Sequence, residues 1–156
     1  MLNAREIAQL SRLLKKIQRP QGDLPQPVFN ALVKVVPFIS CELAVTNARE
    51  EILLTWRDDA YWKGWHFPGR LIRYGENFLH CIRSTARREL NIRISRAKFL
   101  FPMDYHKTCP RGHAVSLVFS CPTRQKPNDG KFFARMPKDI ISDHRLLWQK
   151  VKSEVR

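Results

Sequence analysis

From Ile52 to Leu90 the chain reads ILLTWRDDAYWKGWHFPGRLIRYGENFLHCIRSTARREL, and the order of events along it decides the fold. An apolar, strand-like run (Ile52, Leu53, Leu54) leads to Arg57. A connection containing Trp and Gly reaches Phe67-Pro68-Gly69, a loop carries Tyr74-Gly75-Glu76, and a helical pattern closes on Arg88-Glu89-Leu90. Gly75 suits that loop, because glycine takes turn conformations that other residues resist. Phe78, Ile82 and Ala86 recur at helical spacing and predict a helix over residues 77–90 with those side chains inward. Thr85 and Glu89 are one turn apart and share a face of it.

Upstream, residues 4–18 place Ile7, Leu10, Leu13, Leu14 and Ile17 on one stripe and Arg12, Lys15, Lys16 and Arg19 on the other face, with Asn3 as N-cap. Pro20 and the QGDLPQP segment stop this helix. The chain therefore divides into a basic helical extension, residues 1–25, and a domain, residues 26–156. Packing of the extension on its own domain is favoured over a role in binding a partner, a second copy or phosphate. A short helix is expected near residues 27–35, and strands over 38–45, 51–56, 98–104 and 113–121. Pro127-Asn128-Asp129-Gly130 is a turn, and residues 140–151 form a closing helix. This alternation favours a mixed sheet with helices on both faces.

A length of 156 residues and a hydrophobic fraction of 44% fit one folded domain and exclude disorder. The net charge of +14 implies anionic company such as nucleotide phosphates. Lys and Arg are dispersed rather than blocked, so nucleic acid is a less favoured partner. Cys41, Cys81, Cys109 and Cys121 lack zinc-type spacing; Cys41 and Cys121 in strand-like runs and Cys81 in a helical pattern read as small buried hydrophobes, which points to a reducing, cytoplasmic setting. No apolar run approaches the ~18 residues of a membrane span, and MLNAREIAQL lacks a signal-peptide core, so no membrane partner is expected.

The strand, loop and helix order resembles the core of the Nudix hydrolases, which cleave nucleoside diphosphates linked to another group. The family's box runs Gly, five residues, Glu, seven residues, then Arg-Glu-aliphatic-any-Glu-Glu-any-Gly-aliphatic. Laid on this chain without a gap, its Gly falls on Arg70 and its first Glu on Glu76. The rest falls on Ser84, Thr85, Ala86, Arg87, Arg88, Glu89, Leu90 and Asn91, so Glu76 and Glu89 survive of the polar signature. Aligning Arg88-Glu89-Leu90 with the Arg-Glu-aliphatic triplet would put Ile92 and Arg93 where two Glu belong, and is rejected. The gapless register is most similar to the GDP-mannose mannosyl hydrolase branch, which also lacks several box carboxylates. The likeness spans roughly Pro37 to Cys121.

The resemblance implies an α/β/α sandwich around a mixed sheet and hydrolysis of a nucleotide sugar such as GDP-mannose. It implies one Mg2+ or Mn2+ held by Glu89, the Gly69 carbonyl and the substrate's phosphates. Arg57 matches a phosphate-contacting Arg, and its forked donors suit a diphosphate. Gly75 and Glu76 match structural positions of the loop. The general base stays open among His106, His113 and Asp104, which flank or precede the loop HKTCPRGH. Tyr61, Trp62 and Trp65 either stack on a base or sugar or belong to the core. The nucleoside diphosphate derivative is the expected partner, with room left for a homodimer. A protein that binds nucleotide or nucleic acid without turnover is the alternative, favoured by Arg70, Ser84, Thr85 and Arg88.

Overall fold

The computed structural model describes residues 1–17 and 24–154. In chain order these form α1 (Ala4–Lys16), α2 (Gln26–Leu32), β1 (Phe38–Thr46), β2 (Ile52–Asp58), β3 (Lys63–His66), β4 (Gly69–Leu71), α3 (Phe78–Leu90), β5 (Lys98–Asp104), β6 (Ala114–Pro122), β7 (Lys131–Phe133) and α4 (Ser142–Glu154). The sheet runs β3-β2-β1-β6-β5. β1 and β6 are parallel from Phe38↔Ala114 to Thr46↔Pro122, and β5 lies antiparallel to β6. The expected mixed sheet with flanking helices is the fold observed.

One irregularity shapes the molecule. β1 meets β2 at Thr46↔Ile52, after which the two strands part. β4 takes the vacated edge of β1 at Ser40↔Leu71, Cys41↔Arg70 and Glu42↔Gly69, while β2 pairs with β3 and β7. The short strands β3, β4 and β7 were invisible to periodicity, because three or four residues span too few alternations to read.

Strand alternation then sorts the side chains of β1. Cys41, Leu43 and Val45 face α3 and pack with Cys81, Ile82, Ala86 and Leu90. Ala44, on the opposite face, joins Ile52, Leu54, Phe67 and the Leu147, Trp148 and Val151 stripe of α4. Cys41, Cys81 and Cys121 are buried free thiols, as their apolar neighbours suggested. Truncating Leu43, which is fully buried, would cost about 2–5 kcal/mol through the cavity left behind.

Two expectations need correction. α1 has its Asn3 capping box but buries no residue, and Ile7 and Leu13 are 52% and 47% exposed, so it is not packed on the domain. Pro20 and the linker residues to Asp23 lie outside the described residues. Phe78, expected inside α3, is 48% exposed because it is the helix's first residue, its ring tilted against Phe119 (centroids 6.1 Å). α3 is capped by the Asn77 side chain and ends on Asn91, left-handed at φ 53, where the box has Gly. The closing helix begins at Ser142; Ile140 instead bridges to Trp65.

Candidate active site

Where β1 leaves β2 and accepts β4, an open cleft of about 630 Å³ forms, lined by Glu42, Arg57, Trp62, Gly69, Tyr105 and Arg111 among others. Ser40, Glu42 and Ala44 share one face of β1, so the strand that builds the core also carries a carboxylate to the cleft. Gly69 faces Glu42 across the β1–β4 ladder, and a Cβ there would collide with the Glu42 carboxylate and the Cys41 carbonyl. The Leu43 N–H donates to the Pro68 carbonyl at 2.8 Å, fixing this loop against β1. The Pro-Gly pair thus shapes a seat for the carboxylate.

Glu42 Oε1 lies 3.4 Å from Ser40 Oγ and 3.5 Å from Ser116 Oγ, hydroxyls 2.7 Å from each other across β1 and β6. Burial pushes the Glu42 carboxyl up to about 8; the Glu89 charge adds to this, while Arg57 and the two serines oppose it. Glu89, on α3, lies near enough to the Gly69 N–H for that donor to favour its charged form. Burial also raises its carboxyl above the ordinary range, against the pull of Arg57, Gly69, Arg70 and Arg88. Two desolvated carboxylates therefore flank one glycine.

Arg57 is the cation facing both. Its Nε is 3.4 Å from Asp59 Oδ2 and its guanidinium lies 5.2 Å from the Trp62 ring centroid. Arg111 sits 4.6 Å from the same ring and 3.4 Å from the same Asp59 oxygen. Asp59 Oδ1 accepts the N–H groups of Tyr61 (2.8 Å) and Trp62 (3.0 Å). Burial pushes the Asp59 carboxyl up, but these donors and the two arginines outweigh it and hold it low. The result is a pair of guanidinium groups braced on an indole at the mouth of the cleft.

Behind it stand two histidines. His66 Nε2 is 3.1 Å from Thr55 Oγ1, and His144 Nδ1 accepts the Phe67 N–H at 3.0 Å. Burial, then the Arg57 charge, lowers His66 to about 4; burial, then His66 and Arg57, lowers His144 to about 3. Both are neutral near pH 7, and His144 holds the Phe67-Pro68-Gly69 loop through the Phe67 N–H.

The three base candidates come together, but outside the cleft lining. Asp104 Oδ2 is 3.2 Å from His106 Nδ1 and its Oδ1 is 3.2 Å from His113 Nε2, with all three side chains 42–59% exposed. The His106 N–H and charge, with His113, hold the Asp104 carboxyl below its ordinary range. Alternation explains the placement: Tyr105, between Asp104 and His106, is the residue that faces the cleft. Its Oη is buried without a hydrogen-bond partner among the described residues.

Of the aromatics, Trp62 lines the cleft and Tyr61 is exposed beside Arg111. Trp65 packs edge-on to Trp56 (5.3 Å) and Phe133 (5.0 Å). Sequence reasoning missed Glu42, Tyr105, Arg111 and His144. Glu42 alone left a signal: a single carboxylate inside the otherwise uncharged strand FISCELAVT.

Among the described residues no cluster of three or more His, Cys, Asp or Glu is poised for a metal. Thr85 is buried and spends its hydroxyl on the Cys81 carbonyl at 2.7 Å, and Arg88 is exposed. Two hard carboxylates remain, Glu42 and Glu89, both desolvated and beside Gly69, whose missing side chain leaves room for the Glu42 carboxylate. That donor set fits one Mg2+- or Mn2+-like ion completed by substrate phosphates and water, and does not fit a multi-ion cage.

The NUDIX domain family model matches residues 40–152. No curated protein matches the chain significantly. Among solved structures, the chain is similar to a MutT NUDIX hydrolase from Burkholderia pseudomallei, with TM-score 0.66 and 21% identity over 74% of this chain and 98% of that one. The NUDIX domain of Shewanella oneidensis NrtR, crystallised with ADP ribose, matches with TM-score 0.63 and 13% identity over 85% of this chain and 100% of that domain. A MutT/nudix family protein from Enterococcus faecalis matches with TM-score 0.66 and 15% identity over 99% of this chain and 75% of that one. At such identities these likenesses establish the fold.

Proposed function

The chain belongs to the NUDIX family, and we propose that it is a metal-dependent hydrolase of a nucleoside diphosphate linked to another group, a nucleotide sugar such as GDP-mannose being the first substrate to try. The observation that carries this reading is the convergence of Glu42, Glu89 and Arg57 on the Gly69 loop. Glu89 and Glu42 would hold the ion. When bound, it would neutralise phosphate charge and activate water. Arg57 and Arg111 grip the diphosphate, with forked donors held at fixed angle by Trp62 and Asp59. Trp62 offers its remaining surface to a base or sugar, and the neutral His66 and His144 add no charge to compete with the arginines. The Asp104, His106 and His113 group, exposed at the rim, is given no role in proton transfer.

Thr85 and Arg88, where the box has carboxylates, favour a second reading: a catalytically impaired protein that binds a nucleotide without cleaving it. One experiment separates the two. Purified protein is incubated with nucleotide sugars and other nucleoside diphosphate compounds in Mg2+ or Mn2+, with and without chelator. Metal-dependent release of product that disappears in Glu89→Gln supports the hydrolase; saturable binding with no turnover on any compound supports the binder. The expected setting stays cytoplasmic, with the nucleotide derivative as partner and a homodimer as an open option.

A further inference from the structure

In the family's box a glycine opens the loop, and an Arg on the helix stands eight residues after the first Glu; this chain has Arg70 and Ser84 at those places. Arg70 Nη1 donates to Glu76 Oε2 at 2.9 Å and to the Leu71 carbonyl at 2.9 Å. Its Nη2 donates to Glu76 Oε1 and, at 2.5 Å, to Ser84 Oγ. Ser84 passes its own proton on to the Cys81 carbonyl at 3.1 Å. Glu76 also accepts the Arg73 N–H at 3.1 Å, and the ion pair is sheltered, with side chains 16% and 8% exposed.

We propose that the box guanidinium has been transposed in this chain from the helix to the loop, and that Arg70 is the positioning residue for Gly69 and Glu89. The volume that an Arg at position 84 would fill is taken by the Arg70 guanidinium, because the Ser84 hydroxyl touches the same nitrogen that touches Glu76. A forked pair fixes direction as well as distance. Anchoring the Arg70 side chain to α3 through Ser84 therefore holds the preceding Gly69 peptide, whose N–H meets Glu89 and whose bare Cα faces Glu42. Glycine at 70 alone would leave Glu76 sheltered and without its fork; Arg at 84 alone would crowd two guanidinium groups onto one carboxylate. Only the exchange of both restores the family's arrangement.

The test is a double-variant cycle, Arg70→Gly, Ser84→Arg and both together, with Arg70→Lys as the milder change. The catalytic half rests on the hydrolase reading, so two readouts independent of turnover accompany it: the urea unfolding midpoint and the Gly69 amide shift by NMR. Each single variant is expected to lower the midpoint. Arg70→Gly should move the Gly69 amide and cut kcat about tenfold through misplacement, with a smaller effect on KM. The double variant should recover midpoint, amide shift and kcat together, and Arg70→Lys should fall between. A double variant no better than the worse single one in midpoint and amide shift overturns the transposition, whatever the activity. Recovery of both physical readouts in a protein without turnover keeps the transposition and overturns the hydrolase reading instead. If Arg70→Gly does not fold, the Arg70→Lys amide shift decides: an unmoved Gly69 overturns the positioning role.

Discussion

Glu42 and Asp104 stand on strands separated only by β6, at opposite extremes of electrostatic treatment. Glu42 is desolvated, has a second carboxylate near it and has its pKa pushed up to about 8. Asp104 is 59% exposed, bridges two imidazoles and is shifted down. The chain leaves its buried carboxylate underpaired and its exposed one saturated. Pairing is cheap at the surface and contributes little there, whereas an unbalanced charge in a cleft is a standing disadvantage unless a ligand relieves it. The difference separates a binding seat from a decorated rim.

The strongest challenge to that contrast is Glu89→Gln. It removes a charge that the reaction needs and should lower kcat on the order of a hundredfold; steady-state kinetics retaining full turnover would sink the seat. Arg57→Ala should follow with about a 10- to 100-fold fall in kcat/KM, carried by lost phosphate orientation. Chelator treatment should silence wild type, and titration with Mg2+ should show weak binding that tightens when a nucleoside diphosphate is present.

A gentler probe uses pH. The native state holds a proton on Glu42 between the ordinary 4.5 and about 8, which the unfolded chain releases, so this residue lowers stability as pH rises through that window. Glu42→Gln should thus unfold at higher temperature than wild type at pH 8 and above, with the gap closing toward pH 4.5, while activity falls. On the acid side, the unfolded chain protonates its histidines below 6.5 whereas His66 and His144 resist until about 4 and 3, so stability drains as pH falls through that range. Calorimetric melting across pH 4–9 would read both slopes; a Glu42→Gln variant less stable at pH 9 contradicts the desolvated carboxylate. The smallest effect belongs to the rim: His106→Ala and His113→Ala should change kcat less than about threefold, as expected of exposed pairs.

The longer strands and helices were legible because each is long enough to show an apolar run or a helical period. Ile52 to Leu54 declares itself as a continuous apolar run, and the Phe78–Leu90 helix over several turns. The loop's glycines, Arg57 and Glu89 were legible through the resemblance, which is a statement about order along the chain. What escaped depends on contacts far apart in sequence. Glu42 meets Gly69 only because β4 replaces β2 as a neighbour of β1. His144 reaches Phe67 across a separation of 77 positions. Asp104, His106 and His113 were legible as alternative base candidates, but their mutual contacts were not, and the parity that turns Tyr105 rather than Asp104 to the cleft becomes visible only once the strand's faces are assigned.

The lack of any buried residue in α1 has a consequence in time. Helices of this length without tertiary contacts are marginal in water and open and close in about 0.1–1 μs. α3, also of 13 residues, buries Cys81, Ile82, Thr85, Ala86 and Leu90 in the core. Its amides exchange with solvent only when the domain itself opens, whereas those of α1 exchange at the pace of a free peptide. One chain thus carries two clocks, and only the slower one reports on the fold.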